Sequence, residues 1–307
     1  MGIKRITAAN QNVTAGRSRE EAQQYWAKSH GTLVANNPGI LRYHHYFSLP
    51  EAYNHDPKPT FIGISMFWRA DLDTMFAQRI LQPGQSAYNA DDHQLFDREV
   101  RWPTDDQHAD IFGEENVIID GATTPTMVNA IIMVCRKPGL DHRDFFEHWK
   151  DVQVPLAAKL PGLRRYIQCP VALESIARGS STHDGWSEFW FDDYAAFQRA
   201  VASPEWAAME ADGATLFMKE KGIVIGSEYV QKDETWKPRD YGALSMSEDE
   251  IRARLQREGY RSLAQDPSAP AKIRAAAAAG KLGVWTEHHL VTLDESNIDA
   301  RPERAGV

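Results

Sequence analysis

Ser18 to Tyr43 reads SREEAQQYWAKSHGTLVANNPGILRY, and Asp141 to Tyr166 reads DHRDFFEHWKDVQVPLAAKLPGLRRY. The two stretches are copies of one pattern at a constant separation. Trp26 matches Trp149, Leu33 matches Leu156, Ala35 matches Ala158, Pro38-Gly39 matches Pro161-Gly162, and Arg42-Tyr43 matches Arg165-Tyr166. An internal repeat is read before any single element, because it fixes the architecture. The most informative position is a mismatch: His30 of the first copy is Gln153 in the second.

Each copy spells the same elements. Ser18 and Glu21 form an S-x-x-E helix start, and Asp141 with Asp144 is its acidic counterpart. Ala22, Trp26, His30 and Leu33 then share a helix face, as do Phe145, Trp149, Gln153 and Leu156. Pro-Gly ends each helical stretch and opens a strand, Leu41–Phe47 or Arg164–Pro170. Met127–Cys135 is a strong strand ahead of the second helix, and Ile3–Ala9 is its weaker counterpart. Third strands follow at Phe61–Trp68 and Gly185–Phe191, each leading into a helix, and last strands are expected at Asn116–Ile119 and Gly222–Val230.

The order βαββαβ is the ferredoxin-like split unit. The expected class is α+β, with two tandem units forming one α/β barrel. The first repeat spans 1–120 with an insertion at 82–115, and the second spans 121–230. A helical C-terminal extension, 231–307, wraps the barrel or a partner chain. Helices are expected there at Ile251–Gly259 and Ala269–Ala279, and the extension is the expected route to a homodimer.

Composition narrows the function. The chain has 307 residues, 42% of them apolar, with a net charge of −9. No basic stripe is present to neutralise phosphates, so nucleic acid is not an expected partner. The amino terminus lacks the apolar core of a secretory signal, and the apolar run near Ala130–Val134 is far too short to span a membrane. A cytoplasmic protein with no membrane partner is the expectation. Cys135 and Cys169 have no metal or redox spacing and read as small buried hydrophobes. No metal site, phosphate loop or dinucleotide fingerprint is legible, so no cofactor is expected. His288-His289 reads as surface, and Asp97 and Arg98 of the insertion stand as residues able to reach a pocket mouth.

The words YWAKSHG…NNPGILRY and HWKD…LPGLRRY resemble the EthD family of the dimeric α/β-barrel superfamily. The resemblance covers about 230 residues as two tandem copies. It implies a barrel closed within one chain, but not one reaction, because the superfamily carries many. It also implies that His30 and Tyr43 form an acid/base pair, with histidine moving a proton and tyrosine stabilising an oxyanion. Gln153 cannot replace the histidine, so a single working pocket is expected in the first repeat.

Strand alternation supplies the other candidates. Tyr166 is expected inside the barrel with Arg164 and Gln168, and Ile167 outside. By repeat, Tyr43, His45 and Phe47 then face inward, and His44 and Tyr46 outward. Trp186, Glu188 and Trp190 form one inward set, matched by Trp68. The expected catalytic residues are therefore His30, Tyr43 and His45. The expected substrate-binding residues are Trp68, Tyr166, Trp186, Glu188 and Trp190. The function expected is a cofactor-independent lyase, isomerase or cyclase acting on a small aromatic compound. C–C cleavage with loss of formaldehyde or carbon dioxide falls within that expectation. The alternatives are a haem-dependent dehydratase or peroxidase, a cofactor-free monooxygenase, and a non-catalytic ligand-binding protein.

Overall fold

The computed structural model describes residues 3–10, 18–35, 40–70, 108–177, 181–234, 243–257, 264–278, 284–285 and 290–291. The chain divides into two compact units: 1–11, 44–70 and 101–230 form one, and 12–43, 71–100 and 231–307 form the other.

The sheet has nine strands. In chain order they are β1 (Ile3–Asn10), β2 (Arg42–Ser48), β3 (Phe61–Arg69), β4 (His108–Glu114), β5 (Asn116–Ile119), β6 (Val128–Val134), β7 (Leu163–Pro170), β8 (Gly185–Phe191) and β9 (Gly222–Lys232). Their order in space is β4-β1-β3-β2-β9-β6-β8-β7-β5. The first four reproduce the ferredoxin-like order, and β9-β6-β8-β7 repeats it. The fold is therefore the expected pair of ferredoxin-like halves. The join is also repeated: β9 of the second half runs beside β2, and β5 runs beside β7. Because β5 continues β4 after a single residue, these two segments together play the part in the first half that β9 plays in the second. Closure is visible in the isolated bridge between Gly113 and Val171 and in the hydrogen bond from Ala172 N to Phe112 O, 2.7 Å. A near-closed antiparallel barrel results, which leaves few open edges.

The expected last strand of the first repeat starts too late. Pairing with β1 already begins at His108, opposite Ala9, inside the stretch assigned to the insertion. Asp97, Arg98 and His288-His289 lie outside the described residues.

Two apolar clusters sit on the two faces of the sheet. One fills the barrel with Ile6, Ile64, Met66, Ile111, Ile131, Met133, Ile167, Cys169, Trp186 and Trp190. The other joins Val128, Ala130, Ile132 and Phe189 to Phe145, Trp149, Phe197, Trp206 and Met209 of the second repeat's helices. Both faces are dry, so strand alternation alone could not say which face was which. Burial of Cys169 is complete, whereas Cys135 is half-buried, a departure from the expected burial of both. Desolvation pushes the Cys135 thiol up to about 11.

In each repeat the helix contains the same irregularity. Arg19–Tyr25 is α-helical, Trp26–His30 is a π-turn, and Gly31–Ala35 resumes the α-helix. His142–His148, Trp149–Gln153 and Val154–Ala157 do the same in the second. The Ser18–Glu21 capping box is present in both directions. Asp141 instead caps by accepting from Arg143 N, without a reciprocal bond from Asp144.

In the extension, helices occupy Glu248–Arg257 and Ala269–Ala278, and Val284–Trp285 pairs with Leu290–Val291. Among the described residues no helix is long and apolar enough to cross a membrane.

Candidate functional site

The barrel interior holds a buried polar network. Lys4 on β1 and Glu188 on β8 form an ion pair, and both side chains are 1% exposed. Glu188 also accepts from Trp186 Nε1 at 2.9 Å and from Asn129 Nδ2 at 3.5 Å. The Lys4 ammonium lies 4.6 Å from the centre of the Trp68 ring, and Trp68 Nε1 donates to Glu115 at 2.9 Å. Burial pulls the Lys4 pKa down, but Glu188, Cys169 and Glu115 together outweigh it and hold the ammonium above its ordinary value. Trp68, Trp186, Glu188 and Trp190 thus point into the barrel, where they bond or pack against one another.

A second interior group lies on β2 and β9. His44 Nδ1 is 2.8 Å from Glu228 Oε1, and the Tyr46 hydroxyl donates to the same oxygen at 2.6 Å. His44 packs on Trp68 with ring centres 4.8 Å apart. Both His44 and Glu228 retain slight exposure, about 15%. A carboxylate that bonds one imidazole nitrogen fixes the orientation of the ring.

These positions correct the expected alternation. His44 and Tyr46 face the interior, and His45 faces away, where it bonds Ser65 Oγ at 3.1 Å and stacks on Phe47 at 5.2 Å. Tyr43 shares the parity of His45 and so the outer face; its side chain is fully buried. Tyr166 likewise lies on the helix side, stacked on Phe189 at 4.8 Å, while Ile167 fills the barrel. The misreading has a physical cause. Both faces of β7 carry large buried side chains, Tyr166 on one and Ile167 with Cys169 on the other, so polarity does not mark the inner face; Arg165 reaches Asp120 and the Gly121 carbonyl at a register shift between Leu163 and Arg165.

The correction brings Tyr166 to Gln153. Both line a cavity between β6–β8 and the helices of the second repeat, with Ile132, Val134, Trp149, Ala157, Ser187, Phe189, Met209 and Phe217 as walls and Glu210 and Lys221 at the rim. It has about 320 Å³ of free space, much of it shared with solvent, and its enclosed part is only a water molecule or two in size. The π-turn delivers Gln153 here, with its Nε2 donating to Met209 O at 3.1 Å. Burial raises the Tyr166 pKa far above the ordinary phenol value. In the first repeat, His30 ends the same π-turn and Tyr43 holds the same strand position. The side chain of His30 lies outside the described residues.

Sequence reasoning missed Lys4, Asn129, Glu115 and Glu228. Pairing registers show the pattern. Lys4 opposes Trp68 as Asn129 opposes Trp190, and Ile6 opposes Ile111 as Ile131 opposes Val224. Counting on from the last pair makes Glu115 the counterpart of Glu228. Extending the repeat from the helices to the outer strands was the available signal.

Among the described residues no group of three or more His, Cys, Asp or Glu side chains is placed to hold a metal ion. The cavity lining contains neither histidine nor cysteine and has no room for a porphyrin, so these residues do not fit haem.

The EthD domain family model matches residues 137–220, which is the heart of the second repeat. An anthrone oxidase-like protein has a crystal structure that aligns with a TM-score of 0.52 at 8% identity, covering 76% of this chain and 97% of that one. That likeness shows the fold. An ethyl tert-butyl ether D family protein from Bacillus halodurans is 28% identical over 34% of this chain and 99% of its own, with a TM-score of 0.29. A cofactor-independent oxygenase from Streptomyces nogalater is 16% identical over 32% and 90%, with a TM-score of 0.25. No curated protein matches the chain.

Proposed function

We propose, from the premise that residues 137–220 are an EthD domain within a dimeric α/β-barrel fold, that this protein is a cofactor-independent enzyme of small aromatic compounds. Its chemistry begins with a proton transfer by His30, and Tyr43 donates a hydrogen bond to the oxyanion that develops. Loss of formaldehyde or carbon dioxide, isomerisation or ring closure would then follow from the substrate's own reactivity.

One observation carries this reading. The π-turn recurs in both repeats and ends on His30 in one and Gln153 in the other. In the second repeat that position meets the strand tyrosine, Tyr166, at a cavity. Irregular helical turns of this kind are frequent at functional sites. The first repeat has the same turn and the same tyrosine, with an imidazole where the second has an amide. Only the imidazole titrates near neutral pH. Trp26, buried at the start of the same turn, is the ring-holding residue that accompanies them. Trp68, Trp186, Glu188 and Trp190 are given a structural part instead: Trp68 donates to Glu115, Trp186 donates to Glu188, and Trp190 packs edge-on against Tyr46 within the barrel. His45, bonded to Ser65, is given a positioning part on β2.

The test is turnover of phenolic and anthrone-like compounds by the purified protein, followed by oxygen uptake and by release of formaldehyde or carbon dioxide. His30→Ala is expected to lower the rate by about 10²–10⁴. A drop of less than about tenfold would remove His30 from the chemistry. Oxygen consumed in step with substrate would identify a cofactor-free monooxygenase rather than a lyase.

A further inference from the structure

The cavity of the second repeat is built to hold something. Two of its polar groups are buried and have no hydrogen-bond partner: the Tyr166 hydroxyl and the Gln153 carbonyl oxygen. Tyr166 is fully buried and Gln153 is 5% exposed. Each such group costs free energy unless something in the cavity satisfies it. The Gln153 orientation is not arbitrary, because its Nε2 is committed to the Met209 carbonyl at 3.1 Å, which leaves Oε1 as a pure acceptor. The Tyr166 hydroxyl is a donor with no acceptor of its own. The neighbouring Ser187 side chain works against the rise that burial gives the Tyr166 pKa, but no partner meets the hydroxyl at hydrogen-bond distance and angle.

We infer that the second-repeat cavity is a non-catalytic binding site for a small neutral hydroxyl compound, of the size of a short-chain alcohol. The argument is one of matching groups. A ligand hydroxyl donates to Gln153 Oε1 and accepts from the Tyr166 hydroxyl, so one O–H group satisfies both orphans. A carbonyl compound satisfies only Tyr166, and an anion is repelled by the lone pairs of Gln153. The carbon end of the ligand meets Trp149, Met209 and Phe217, an apolar wall. Glu210 and Lys221, paired at 2.8 Å, stand at the rim and exclude a second charged group. The enclosed room limits the ligand to a few heavy atoms. No proton transfer follows, because an amide stands where an imidazole would be needed. The inference does not depend on the reading of His30.

The probe is ¹³C-labelled ethanol, titrated into the full chain and followed by ligand-observed NMR, with phenol as a size control. Saturable binding in the millimolar range is expected, as suits a ligand of so few atoms. Gln153→Leu and Tyr166→Phe are each expected to weaken it at least about tenfold, as loss of one hydrogen bond to a buried group requires. His30→Ala should leave it unchanged, which separates this site from any in the first repeat. Thermal unfolding of each variant guards against a folding defect, and Tyr166→Phe removes only an unpartnered oxygen. If ethanol shows no saturable binding, or binds the two variants as it binds the parent, the cavity holds water alone and the inference fails. Phenol binding as tightly as ethanol at this site would overturn the size limit.

Discussion

Lys4 and Glu188 show what a single residue contributes here. They join the first strand of one repeat to the third strand of the other, and neither touches solvent. Removing one partner strands the other charge in an apolar core. Lys4→Met is therefore expected to cost about 3–5 kcal/mol in urea unfolding. The repeat suggests the remedy, since Met66 holds the register position in β3 that Glu188 holds in β8. The double variant Lys4→Met/Glu188→Met should recover most of the loss, because apolar replacements of buried pairs are often neutral. A double variant no more stable than the single one would show that the pair is more than a charge balance. Glu228 makes a pH-dependent contribution. Burial alone would raise its pKa, but His44 and Tyr46 bond its carboxylate and hold it below the usual value of 4.5. A depressed folded pKa means stability that is present above 4.5 and lost as pH falls through the lower, folded value. The stability gap between the parent and Glu228→Gln should therefore close on acidification below pH 4.5. A constant gap across that range would remove Glu228 from acid unfolding. From sequence, Glu188 was legible as an inward residue because a carboxylate among tryptophans needs a partner. Lys4 was not, because a lone lysine in a weak strand looks like a solvated one.

At the scale of elements, the helix, the Pro-Gly turn and the strand that follows were legible in both copies because their residues are local and periodic. The π-turn was not. It keeps α-like backbone angles and inserts its extra residue without a glycine or proline to mark it. Which face of β2 and β7 points inward was also illegible. Both faces are apolar. Two glycines beside the second helix carry different burdens. Gly185 opens β8 with φ +153°, and a Cβ there would stand 2.6 Å from the Cys169 carbonyl and 2.7 Å from the Trp149 ring. Gly162, at φ +74°, has nothing within 4 Å. Gly162→Ala meets only backbone strain, about 1 kcal/mol. Gly185→Ala adds overpacking of about 1–3 kcal/mol against the π-turn's own tryptophan. Thermal unfolding should rank Gly185→Ala below Gly162→Ala. The reverse order would mean that Trp149 is free to move aside and that the turn is not held by β8.

For the whole molecule, the barrel is an arrangement of edges. Within the second repeat, β9 and β7 are outer strands, and each is covered only by a strand of the first repeat, β2 or β5. The internal repeat made this closure predictable. The exact seam was not, because β4 begins inside a stretch that reads as an insertion. The seam leads to a test of how the two halves depend on each other. A fragment comprising residues 121–232 retains β6 to β9, their helices and the EthD match. It would expose β7 along one side and β9 along the other, together with the apolar barrel face of Ile131, Ile167, Trp186 and Trp190. Exposed edges and an apolar face of this kind seek a partner. The surface missing from each fragment is shaped like the fragment itself, so a two-fold dimer that pairs β7 with β9 of the other copy satisfies both edges at once. The fragment is therefore expected to fold as a dimer in light scattering, with Glu188 left without Lys4 and with stability lower than that of the full chain. Replacing Glu188 by Met in the fragment should then raise its stability, the opposite of what the same change does in the intact protein, where it strands Lys4. A stable monomeric fragment would mean that the second repeat does not need the first to cover its edges, and the barrel would then be a pairing of two finished domains rather than one closed sheet.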